Sequence, residues 1–225
     1  MVLALAALAA VVALPSLANG FVYDDIPIIV DNPLVHQLGA LDAWRSSYWP
    51  VGELYRPLTL QLFSLQWAVG GGRPLIFHVV SLLLVALTVV MVYRLAARLL
   101  PEAGAIAAGA LFAVHPVHVE AVASVVGQAE LLSAVFALLA VELYIRWREP
   151  GGLTAGRRIV LAGCTVLAIA AKETGYVVPL LLAAAESCLP RRDRRGVTEV
   201  FALQAAAVVI GLVVRFNTLG SLAGT

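Results

Sequence analysis

Four polar clusters interrupt an otherwise apolar chain. They are Asp24-Asp25, Arg56 within Leu54-Tyr55-Arg56-Pro57, the run His115-Pro116-Val117-His118-Val119-Glu120 followed by Gln128 and Glu130, and Lys172-Glu173-Thr174-Gly175. Their side-chain types define what each can do. A carboxylate within hydrogen-bond reach of a hydroxyl takes its proton. A lysine or arginine beside a departing phosphate stabilises the charge that grows there. Two histidines three residues apart share a helix face, and with Glu120 they supply Zn-type ligands. The spacing is not HExxH, however, and no fourth ligand is implied. Plainer readings stand beside these. Asp24-Asp25 also reads as a solvated pair or an N-cap. The histidines also read as helix-end caps, and Lys172-Glu173 as partners of other loops. Arg73 is a further cation of the same stretch as Arg56.

The elements that position these clusters follow from composition. Of 225 residues, 61% are apolar and 13% charged, with mean hydropathy +0.94. Soluble domains hold about 45–50% apolar and about 25% charged residues, so this chain is built for lipid. A net charge of +1 gives nucleic-acid binding no electrostatic support. Cys164 and Cys188 lie in apolar stretches and read as small buried hydrophobes. Apolar runs at 2–18, 75–100, 104–118, 129–147, 158–171, 174–189 and 199–215 predict about seven spans, since a span needs about 20 residues. The runs 104–118 and 158–171 are short and are expected to extend into the polar segments after them. The fold class is all-α, a polytopic transmembrane helical bundle. It forms one module over 1–225, with a first span at 1–18, an outer loop at 19–74 and the remaining spans at 75–225. Ser16-Leu17-Ala18 has the small residues of a signal-peptidase site, but no basic segment precedes it. Residues 1–18 therefore read as a membrane helix.

Orientation comes from the arginines. Arg94 and Arg98, then Arg146, Arg148, Arg157 and Arg158, then Arg191, Arg192, Arg194 and Arg195 all fall on one side if every run is a span. The positive-inside rule makes that side cytoplasmic. The loop 19–74, the segment His115–Glu130 and Lys172-Glu173 then share the opposite face. Trp44, Tyr48, Trp49, Tyr55 and Trp67 suit a membrane interface there. Residues 39–48 and 57–69 predict short amphipathic helices near it. Charge gathered at one membrane surface, rather than at the midplane, favours an enzyme with a lipid-borne substrate over a transporter or flippase. A non-catalytic membrane scaffold is the third reading.

Three motifs in order carry a resemblance. Asn19-Gly-Phe-Val-Tyr-Asp-Asp25 with Asp31-Asn-Pro33 and Tyr55-Arg-Pro-Leu58 is the first. Leu111-Phe-Ala-Val-His-Pro-Val-His-Val-Glu120, continuing to Gly127-Gln-Ala-Glu-Leu131, is the second, and Ala171-Lys-Glu-Thr-Gly175 the third. Together they resemble the GT-C type membrane glycosyltransferases related to the cadherin-directed transmembrane O-mannosyltransferases, from Asn19 to about Phe216. The resemblance implies a GT-C-like bundle and an inverting transferase. Its donor would be a sugar, mannose by family, on a polyprenyl phosphate, and its acceptor a Ser or Thr hydroxyl of a protein. It implies Asp24 or Asp25 as base, with a slight preference for Asp25. Arg56 and Lys172 would face the lipid phosphate. His115, His118 and Glu120 would shape the pocket or bind sugar hydroxyls, with Gln128, Glu130 and Glu173 around the substrate. Gln128 stands where a basic residue is expected. The resemblance fixes no cofactor, and a divalent metal is left open because some GT-C enzymes use one and others do not. Such an enzyme would sit in a bacterial cytoplasmic membrane facing the periplasm, or in the ER membrane facing the lumen. Family members often continue into further spans and tetratricopeptide repeats, so the chain reads as the first part of a longer protein.

Overall fold

The computed structural model describes residues 1–37, 42–49, 54–148, 152–189 and 196–220. All regular structure among them is helical. The reason is the solvent that the composition implies: in lipid a helix satisfies its own backbone groups. The elements are α1 (Val2–Ala13), α2 (Pro33–His36), α3 (Pro57–Gly70), α4 (Pro74–Leu99), α5 (Glu102–Val114), α6 (Val119–Ala123), α7 (Gln128–Trp147), α8 (Ala155–Ala171), α9 (Val178–Cys188) and α10 (Val197–Leu219). Prolines open α2, α3 and α4, where their missing N–H costs nothing. Gly71, at φ 59°, ends α3 in the left-handed conformation and turns the chain into α4.

Among the described residues, three helices are long and apolar enough to cross a membrane: Pro74–Leu99, Val125–Trp147 and Val197–Leu219. A fourth crossing exists if Glu102–Val114 and Pro116–Ala123, bent by 48°, act as one. About seven full-length spans are therefore not what the described residues display. The run at 2–18 forms a 12-residue helix continued by a 3-10 turn, and α9 has 11 residues. Pro116 explains the bend, because it removes a helical donor. The expected extension of the run 104–118 thus occurs, but through a break. The run 158–171 extends at its start instead, to Ala155, and stops at Ala171 before a 3-10 turn. Of the two expected amphipathic helices, 57–69 corresponds to α3. The other, 39–48, falls partly outside the described residues, which hold a 3-10 turn at Ala43–Arg45. Glu53 and Arg191–Arg195 also lie outside them.

Side-chain contacts fix the directions of the helices. Gln128, at the start of α7, donates to the Phe77 carbonyl and the Ser81 hydroxyl near the start of α4, at 2.8 and 3.2 Å. Glu142, near the end of α7, accepts from Arg94 and Arg98 near the end of α4, both at 3.1 Å. These two helices therefore run parallel, as a single intervening crossing requires. The antiparallel α8 brings Ala168 to Ser133 at 3.1 Å. The last helix, α10, runs back along α8, pairing Arg158 with Glu199 at one end and Arg215 with Glu173 at the other. The described arginines 94, 98, 146, 148, 157 and 158 thus gather toward one end of the bundle and the candidate site residues toward the other. A separate core of Ile28, Ile29, Tyr48, Leu60, Phe63, Phe77 and Val125 fastens the first loop onto that second end.

Candidate active site

The loop and the second end of the bundle enclose a cavity of about 870 Å³. Its lining brings together Asp24, Arg56, Glu120, Glu130 and Lys172 from four separate stretches of chain, with Asn19, Tyr23, Trp49 and Ser124 around them. The transporter reading would have gained from Asp24 and Lys172 on opposite faces; they line one cavity.

The acidic pair splits into two roles. Asp25 is fully buried and does not line the cavity. Its carboxylate accepts from the Val22 and Val125 amides at 3.1 and 3.3 Å, the Val126 amide at 2.9 Å and the Ser124 hydroxyl at 3.2 Å. It thereby ties the first loop to the 3-10 turn Val125–Gly127. Asp24 is exposed and faces the cavity. A single π-helical turn, Ile26–Val30, follows the pair with Asp25 at its N-cap, a device that recurs at functional sites.

Two turns carry the other charged groups, and each rests on a glycine. A Cβ on Gly127 would lie 2.5 Å from the Ala121 carbonyl oxygen, and one on Gly175 would collide with the backbone of Ala168 and Ile169. Only glycine lets these turns press so closely on their neighbours. Lys172 forms an ion pair with Glu130, the lysine 21% and the glutamate 47% exposed. Arg56 donates to Glu173 at 2.9 Å, and Arg215 reaches the same carboxylate at 3.4 Å. The Arg56 guanidinium also lies 4.9 Å over the Tyr48 ring. Burial raises the Tyr48 phenol above its ordinary value, against the opposing pull of Arg56, so it stays neutral.

Other expected residues lie elsewhere. His115 and His118 line a second, apolar cavity of about 300 Å³ against Ala9, Val85 and Val122, joined to the first through Asn19 and Ala123. The His115 Nδ1 accepts from the Val117 amide at 3.2 Å, a local cap, and His118 packs 4.1 Å from Phe112. Gln128 is fully buried, exchanging hydrogen bonds with Gln66 at 2.8 and 3.0 Å, and does not line the larger cavity. Glu173 positions arginines rather than lining the cavity. Arg73 is exposed just before α4. Among the described residues, no three His, Cys, Asp or Glu side chains are grouped to hold a metal ion. Sequence reasoning did not single out Ser124 or Arg215. Arg215, a lone cation near the end of an apolar run, was the visible signal for the latter.

Fold and cavity together define an integral membrane protein with a charged cavity at one end of a helical bundle. No protein-family model matches the chain, and no solved structure matches it. Curated relatives do. Protein O-mannosyl-transferase TMTC3 of Homo sapiens is 35% identical over 172 residues, 72% of this chain and 19% of that protein. Tmtc2 of Drosophila melanogaster is 37% identical over 221 residues, 91% of this chain and 23% of that protein. Tmtc1 of the same organism is 40% identical over 188 residues, 78% and 21%. The chain is a homologue of these protein O-mannosyl-transferases and spans about a fifth of their length.

Proposed function

We propose that the larger cavity is the reaction chamber of a protein O-mannosyltransferase, in which a mannosyl group passes from a polyprenyl phosphate to a Ser or Thr hydroxyl. The observation that carries this is one cavity lined by an exposed carboxylate, Asp24, and two cations, Arg56 and Lys172. The names of the relatives supply the reaction class and the protein acceptor. A charged cavity at the end of a membrane bundle supports a lipid-linked donor. In this reading the acceptor oxygen attacks the sugar C1, its proton goes to Asp24, and the C1–O bond to phosphate breaks with inversion. The electron pair leaves on the phosphate, where Arg56 and Lys172 stabilise it. Asp25 holds the turn that presents Asp24. The cavity faces the side opposite the arginine-rich end, which is extracytoplasmic by the positive-inside rule.

The test compares Asp24→Asn with Asp25→Asn in membranes, assaying transfer from mannosyl phosphoryl polyprenol to a Ser/Thr peptide. Asp24→Asn is expected to lose about 10²–10⁴-fold in turnover, the range of general base catalysis, with its thermal midpoint unchanged. Full activity in Asp24→Asn would remove the base assignment.

A further inference from the structure

Tyr23 is the one non-glycine residue at positive φ, 47°, among the described residues. It is also 90% exposed, the highest value among the exposed large hydrophobics. Both facts oppose its presence. A bulky residue in the left-handed region is strained where glycine is not, and an exposed ring gains nothing from burial. Yet the surrounding contacts enforce this conformation. The Asp25 amide donates to the Val22 carbonyl at 2.9 Å, the Ile26 amide donates to the Tyr23 carbonyl at 3.1 Å, and the Asp25 carboxylate accepts from the Val22 amide at 3.1 Å. Asp25 is itself fixed by the Val125 and Val126 amides. Strain held in place on several sides marks a functional position. Tyr23 lines the larger cavity beside Asp24.

We infer that Tyr23 is a specificity-determining residue that packs its ring against the acceptor polypeptide next to the reacting hydroxyl. The inference rests on the transferase reading. A base touches the acceptor, so the exposed residue adjoining Asp24 meets the acceptor rather than the donor phosphate, which the cations Arg56 and Lys172 draw to themselves. An interfacial tyrosine serving only as a lipid anchor would need neither the enforced turn nor a place beside the base.

The experiment measures donor and acceptor kinetics separately for Tyr23→Ala, Tyr23→Phe and Tyr23→Gly in nanodiscs, with mannosyl phosphoryl polyprenol and a Ser/Thr peptide. Tyr23→Ala is expected to raise the acceptor KM about fivefold, the scale of one aromatic contact, and to leave the donor KM within twofold. Tyr23→Phe should retain the wild-type acceptor KM. Tyr23→Gly should unfold at the same or a higher temperature than wild type while losing acceptor affinity like the alanine variant. An unchanged acceptor KM in Tyr23→Ala, with Asp24→Asn inactive, overturns the inference and leaves the transferase reading standing. A rise confined to the donor KM overturns it in favour of a ring on the sugar. Absence of transfer by the unaltered chain overturns both.

Discussion

At the arginine-rich end of the bundle, Glu142 is 2% exposed and takes two arginines; at the cavity end, Glu130 is 47% exposed and takes one lysine. Also at the arginine-rich end, Glu186 accepts from Arg148 at 2.8 and 3.0 Å and from the Tyr144 hydroxyl at 2.8 Å. The first kind of pair locks helices together, because a buried carboxylate left alone is costly. The second kind sits in water-accessible space, where an ion pair adds little stability. It is free to exchange partners with a ligand. The same contrast separates Asp25 from Asp24: one is saturated by the protein, the other open to what enters.

Mutations can break or sharpen this contrast. Glu142→Gln is expected to cost about 2–3 kcal/mol, somewhat under the range for breaking a fully buried pair because the arginines are partly exposed. Denaturant titration in micelles measures it, and a loss below about 1 kcal/mol would erase the contrast. Asp25→Asn should cost about 2 kcal/mol, since an amide can no longer accept from every donor now pointed at it. Its activity should fall together with its stability as the turn that presents Asp24 loosens, whereas Asp24→Asn loses turnover without losing stability. Glu130→Gln should change stability by less than about 0.5 kcal/mol and lower the donor KM by freeing Lys172. A raised donor KM would show that Glu130 holds the lysine in its working position.

The helical class and the segregation of charge to two ends were legible in the sequence. Apolar runs and arginine spacing act over whole helices, so they survive local error. The motif glycines, Gly127 and Gly175, were legible as part of a pattern, although their cause is a backbone approach that only coordinates display. The choice between Asp24 and Asp25 was not legible. What distinguishes the two is the binding of Asp25 by amides at Val125 and Val126, about a hundred residues away. The helix-end cap expected at His115 is present, but the place of both histidines in a separate cavity was not legible, for a similar reason. Pro116 bends the chain there by 48°, which turns His115 and His118 toward α1 and the smaller cavity. Gln128 looked like a departure at the cavity mouth, yet its partners are Gln66, Phe77 and Ser81 on helices that sequence alone does not place beside it.

The pairing of Lys172 with Glu130 has a consequence for selectivity. A carboxylate fixed in the protein competes for the lysine at high effective concentration, like a built-in counter-ion. Stray chloride or inorganic phosphate must outbid it one collision at a time. A molecule that brings its anion together with a bulky apolar tail and a sugar engages several subsites at once and displaces the carboxylate as a unit. In the reaction proposed above, Glu130 would thus set a threshold, making occupancy of the cation respond to the whole ligand rather than to ionic strength alone.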